Sequence, residues 1–99
     1  MFEVADLPGH AGHNQGAGLC RLYLIEAADG PGLLLRILGL FSVRQAAVRC
    51  VRAETLQGVA HIRVEAEGLD ARQAAALANK LQEMPMVEGV AMGWCGAGA

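Results

Sequence analysis

From Val59 to Glu67 polar and apolar residues alternate without interruption. Ala60, Ile62, Val64 and Ala66 fall on one side and His61, Arg63, Glu65 and Glu67 on the other. A period of two residues marks a β-strand, and a row of charges on one side marks a sheet that is covered on a single face. Whatever helices the chain forms must therefore pack on that one face. Leu56, Gln57 and Gly58 precede this strand as a hairpin connection, which pairs it with a strand over residues 48–55.

The flanking segments supply two further strands and the helices. Residues 21–26 are a short apolar, aromatic and β-branched run that ends at Asp29, Gly30, Pro31 and Gly32, as a buried strand closing in a turn does. Pro31 suits the first turn of a helix over residues 33–44, with Asp29 or Gly30 as its cap. Leu34, Ile37, Leu38 and Phe41 form the expected core stripe of this helix, with Leu33 and Leu40 on its flank. A helix on one sheet needs one buried face, so the extra leucines imply a second contact surface, most simply another subunit. Asp70 and Gln73 have capping-box spacing before an Ala-rich helix to Gln82, whose stripe is Ala74, Leu77, Ala78 and Leu81. Pro85 ends it, and residues 87–94 resume a strand rhythm with Val90, Met92 and Trp94 on a common face.

The order is β-α-β-β-α-β. Two right-handed β-α-β halves joined by a hairpin predict an α+β, ferredoxin-like sandwich. It has a four-stranded antiparallel sheet in the order 4-1-3-2 and two helices on one face. The chain has 99 residues, which suits one domain, and 8 Lys and Arg against 10 Asp and Glu, which gives no basic surface for nucleic acid. Residues 1–18, rich in glycine, read as a flexible N-terminal arm, residues 19–95 as the folded domain and 96–99 as a C-terminal tail. Cys20, Cys50 and Cys95 are odd in number and form no CxxC pair, so all three read as reduced packing residues. With no basic start before an apolar run and no membrane-length apolar stretch, the expectation is a cytoplasmic protein without a membrane partner.

This architecture hosts unrelated functions, so residues at a site must discriminate among them. An RNA binder needs exposed aromatics on strands one and three, where Tyr23 is the sole aromatic. A metal carrier needs thiols in the first loop, which has none, and an acylphosphatase-like enzyme needs an arginine there, whereas Arg21 and Arg36 fall in regular elements. His10 and His13 have HxxH spacing but read as part of a solvated arm, and His61 reads as an exposed or lightly paired residue. Cys50, beside Arg49, has little to make it a redox sensor. No catalytic residue, cofactor or metal is expected. The turn at Asp29, Gly30 and Gly32 is the segment with chemistry. Free N–H groups of the first helical turn can take a carboxylate, Asp29 can take an ammonium, and Gly32 allows close approach to the main chain. The residues alone leave a plainer reading open, in which Asp29 only caps and the glycines only turn the chain.

The run Asp29-Gly30-Pro31-Gly32-Leu33-Leu34-Leu35-Arg36-Ile37-Leu38-Gly39-Leu40-Phe41-Ser42-Val43-Arg44 resembles the opening of ACT domains. It is most similar to that of the acetolactate synthase small, regulatory subunit, and the resemblance covers residues 20–94. It implies a non-catalytic regulatory domain that forms a homodimer through its sheet edge and helix one. It further implies a branched-chain or other small amino-acid effector and a large catalytic subunit as partner. By position, Asp29, Gly30, Gly32, Leu33 and Leu34 would contact the effector, with Ala47 and Val48 supplied by the other chain. The chain departs from that pattern at Gln45, Ala46 and Ala47, where the subunit family carries a glycine and then a polar Asn. The resemblance therefore also admits a stand-alone homodimer with another effector, or an interaction module without a ligand.

Overall fold

A hairpin turn with positive φ at both central residues, Gln57 (54°) and Gly58 (83°), joins β2 (Ala47–Leu56) to β3 (Val59–Glu67). That backbone twist matches the twist of paired strands and sets their register, with Leu56 opposite Val59. The computed structural model describes residues 20–95. It adds β1 (Cys20–Ala28), α1 (Leu33–Val43), α2 (Ala71–Glu83) and β4 (Val87–Trp94). All strand pairs are antiparallel and the sheet order is β2-β3-β1-β4, which is the expected ferredoxin-like arrangement. Strands β1 and β2 run slightly longer than the apolar runs suggest. The arm over residues 1–18, with His10 and His13, and the tail over 96–99 lie outside the described residues.

The core lies between the helices and one sheet face. Tyr23, Ile25 and Ala27 of β1 and Ala60, Ile62, Val64 and Ala66 of β3 meet Leu33, Ile37 and Phe41 of α1 and Ala74, Leu77, Ala78 and Leu81 of α2. Tyr23 is central. Its ring meets Phe41 edge-on at 5.1 Å, and its hydroxyl donates to Ala74 O across 2.9 Å, so the aromatic expected as the lone stacking candidate for RNA is a core residue.

Three sequence expectations are corrected here. Leu33, Ile37 and Phe41 form the fully buried ridge of α1, four residues apart, and Leu34 and Leu38 are only partly buried beside it. The helix begins at Leu33, after the turn, and this places its i to i+4 row on the sheet. Asp29 and Gly30 do not cap α1. Gly30 O accepts from Leu33 N–H (3.3 Å), and Pro31 and Gly32 (φ 77°, ψ 0°) form the centre of a type II turn that puts Gly32 at the cap with no side-chain hydrogen bond. The third concerns the thiols. Cys20 and Cys95 form a disulfide, and Cys50 is the free, buried cysteine among the described residues. β1 pairs with β4 antiparallel, so a separation of 75 residues in sequence becomes a Cα–Cα distance of 5.3 Å. The cysteines thus lend no support to a reducing compartment. No described helix is long and apolar enough to cross a membrane.

The C-terminus of α1 ends in a Schellman motif. Ala46 N–H donates to Phe41 O (3.1 Å) and Gln45 N–H to Ser42 O (2.9 Å), with Gln45 left-handed at φ 61°. Gln45 stands where the resemblance has glycine, and it takes the conformation that glycine adopts freely.

Candidate functional site

The site grows from the end of β1. Ala28 N–H donates to Met86 O (2.8 Å) and Asp29 N–H to Gly58 O (3.0 Å), so the first loop is tied both to the entry of β4 and to the β2–β3 turn. From this anchored start the type II turn swings the chain into α1. Arg36 N–H is the first to reach back four residues, to Gly32 O at 3.0 Å, and Leu33 N–H is engaged by the turn. The N–H groups of Leu34 and Leu35 are therefore the orphan donors of the helix start, at its positive end.

Asp29, Gly30, Gly32, Leu33 and Leu34 come together around an open cavity of about 300 Å³. Leu35, Ala53, Thr55, Ala60 and Ile62 complete its wall. Leu35, Ala53 and Thr55 are residues that sequence reasoning missed. The signal for the last two was available in the alternation of β2, whose helix-side row runs Val51, Ala53, Thr55. A Cβ at Gly32 would meet nothing within 4 Å, so this position answers to its positive φ and not to crowding within the chain. The arrangement offers an exposed carboxylate, main-chain donors at a helix start and an apolar wall. These are the complements of an ammonium, a carboxylate and a small aliphatic side chain.

Ala47 and Val48 are not part of this cavity. Ala47 lies opposite Glu67 at the far end of β2, whereas Thr55 lies opposite Ala60. At ~3.3 Å per residue the two ends of the strand are roughly 25 Å apart.

A larger cavity of about 450 Å³ lies on the helix-free face, over Leu24, Glu26, Arg52, Glu54, His61 and Arg63. There His61 Nδ1 is 3.6 Å from a Glu26 carboxylate oxygen, the light pairing expected of it. This surface has mixed charge and lacks the helix start that distinguishes the first loop, so the smaller cavity carries the functional argument. On the helix side Arg21 is buried. It donates from Nε to Leu69 O (3.2 Å) and lies 4.6 Å from the Trp94 ring centre. Burial pushes the Tyr23 phenol above its usual pKa, against the weaker opposite pull of Arg21 and Arg44.

The family described as ACT-like domain matches residues 14–97. Among solved structures, the ACT domain of GTP pyrophosphokinase from Chlorobium tepidum superposes with a TM-score of 0.67 at 17% identity, covering 76% of this chain and 97% of that one. The C-terminal domain of the MgtC protein from Mycobacterium tuberculosis gives 0.68 at 13% identity, covering 81% and 90%. The ligand-free regulatory subunit of aspartate kinase from Thermus thermophilus gives 0.59 at 14% identity, covering 79% of this chain and 52% of that one. At these identities the structural likeness shows the fold. No curated protein matches the chain.

Proposed function

We propose, from the premise that this chain belongs to the ACT-like domain family, that it is a non-catalytic regulatory module which pairs with a second copy and binds a small amino acid at the first loop. The observation that carries this reading is the uncapped start of α1 facing a cavity beside exposed Asp29. The amino acid's carboxylate meets the Leu34 and Leu35 N–H groups, its ammonium meets Asp29, and its side chain lies against Leu33 and Ile62.

Pairing is supported by apolar surface that the single chain leaves uncovered. Leu35 is 76% exposed at the cavity mouth, and β2 is an edge strand with Val48 and Leu56 also exposed. An antiparallel β2-to-β2 contact brings the start of one β2 against the end of the other. That geometry carries Ala47 and Val48 of a second copy toward the cavity, as the family resemblance implies. An acidic and apolar pocket of this size suits an aliphatic amino acid. The Gly39, Leu40, Phe41 and Ser42 run favours acetolactate synthase as the regulated enzyme, while Gln45 and Ala47 in place of the glycine and the polar Asn favour an effector other than valine. We place this module in the cytoplasm, where such enzymes work.

A thermal-unfolding screen of the intact chain against single amino acids, with its solution mass measured in parallel, tests this function. A dimer whose Tm rises with one aliphatic class supports it. A monomer unmoved by every amino acid overturns it. For the finer reading, mixing with an acetolactate synthase large subunit should change that enzyme's rate, and an unchanged rate removes it.

A further inference from the structure

On the helix-free face, Glu65 breaks the rule of its own strand. It belongs to the polar row of β3, yet its relative exposure is 6%. The register sets it across from Leu22 on β1, two pairs along and so on the same face as Cys20, which itself pairs with Glu67 and is bonded to Cys95 beyond β4. Arg63 holds one carboxylate oxygen, Oε2, from Nε (3.2 Å) and Nη2 (3.1 Å). Among the described residues the other oxygen has no hydrogen-bond partner. A buried carboxylate oxygen without a partner calls for an explanation, and a carboxylate oxygen of Glu65 and the sulfurs of Cys20 and Cys95 all lie within 4.8 Å of one another.

We propose that, when the Cys20–Cys95 bond is reduced, Cys20, Cys95 and Glu65 form a binding site for a thiophilic divalent cation of the zinc class. The inference stands apart from the reading of the first loop, which lies at the other end of β1. A dithiol reductant gives two electrons and two protons to the disulfide. The S–S bond breaks, two thiols form, and the dithiol closes to its own disulfide. The cation then displaces both thiol protons as two metal–sulfur bonds form, and Glu65 Oε1 supplies the third ligand.

Several features fit that chemistry. Soft thiolates select zinc-like ions over calcium or magnesium, and three protein ligands leave one tetrahedral position for water or an exogenous group. Two thiolates and a carboxylate carry three negative charges, which a divalent cation and the Arg63 guanidinium together cancel. Arg63 also orients the ligating carboxylate from behind, as outer partners of metal ligands do. The sulfurs start from the first residue of β1 and the residue just after β4, with Cα atoms 5.3 Å apart, so the pair stays within reach of one ion after the bond opens. The oxidised pair has no thiolates to offer, and metal binding is thereby coupled to redox state.

The test is a titration of the full chain with cobalt(II) as a spectroscopic stand-in. The chain is first reduced by a trialkylphosphine, which is oxidised with oxygen taken from water. The proposal predicts a thiolate-to-cobalt charge-transfer band and tetrahedral visible bands that saturate at one ion per chain and disappear on adding zinc. Unreduced protein should give neither. Glu65→Gln, similar in shape, should weaken binding at least tenfold, Cys95→Ala should abolish the bands, and Cys50→Ala should leave them intact. Reduced protein without the bands, Glu65→Gln binding as tightly as the parent, or loss of the bands in Cys50→Ala overturns the proposed donor set.

Discussion

The two helices begin in opposite ways. At α2, Asp70 accepts from Gln73 N–H (2.7 Å) while the Gln73 side chain accepts from Asp70 N–H (2.9 Å), so the capping box closes on itself. At α1, Gly32 holds the cap position in a left-handed conformation and no side chain answers the first N–H groups. One helix start is spent on its own stability, and the other is left with donors to offer. What holds α1 in place is the ridge of Leu33, Ile37 and Phe41 against the sheet.

That contrast can be broken in order of effect. Phe41→Ala should cost about 3–5 kcal/mol, because it empties the ridge and removes the edge-on contact with Tyr23; chemical denaturation measures it, and a loss near that of a surface change would mean α1 is held by something else. Gly32→Ala should cost about 1–2 kcal/mol through its positive φ alone, since its new Cβ meets no atom of the chain within 4 Å. Asp70→Ala, which opens the capping box, should cost about 1 kcal/mol and leave ligand binding at the first loop unchanged. A similar loss, about 1 kcal/mol, is expected of Tyr23→Phe, which removes the buried hydroxyl's bond to Ala74 O.

Tyr23 also sets an alkaline limit. Burial raises its pKa in the folded chain above the ordinary tyrosine value of 10.0. The unfolded chain therefore gives up this proton at a lower pH than the native one does. The resulting stability is complete below the unfolded pKa and is lost as pH rises through the folded one. Stability measured across that range should fall in the parent, and the Tyr23 share of the fall should vanish in Tyr23→Phe.

Much of this was readable from residues alone, because period-two alternation in β3 and the Asp70–Gln73 spacing are local signals that tertiary structure had no reason to override. The strand order followed from the handedness of two crossovers. The start of α1 was misread by cap preference. Asp29 looks like a cap in sequence, but the type II turn at Pro31 and Gly32 takes three further residues and leaves Asp29 outside the helix. The disulfide and the burial of Glu65 were illegible for another reason. Both depend on which strand ends meet across the sheet, and composition and spacing say nothing about that. The first loop was legible as a place, while the alternation of β2 put Ala53 and Thr55 on its helix side without saying that this row walls the loop.

The central claim is that the uncapped first loop holds an amino acid. Isothermal titration of the parent and of Asp29→Asn with an aliphatic amino-acid panel tests it most directly. Asp29 is exposed and makes no cap, so the substitution should move stability by less than about 0.5 kcal/mol. Saturable binding by the parent, weakened at least tenfold in Asp29→Asn at unchanged Tm, is the predicted result. Equal affinity in the two proteins, or no binding by either, would contradict the account.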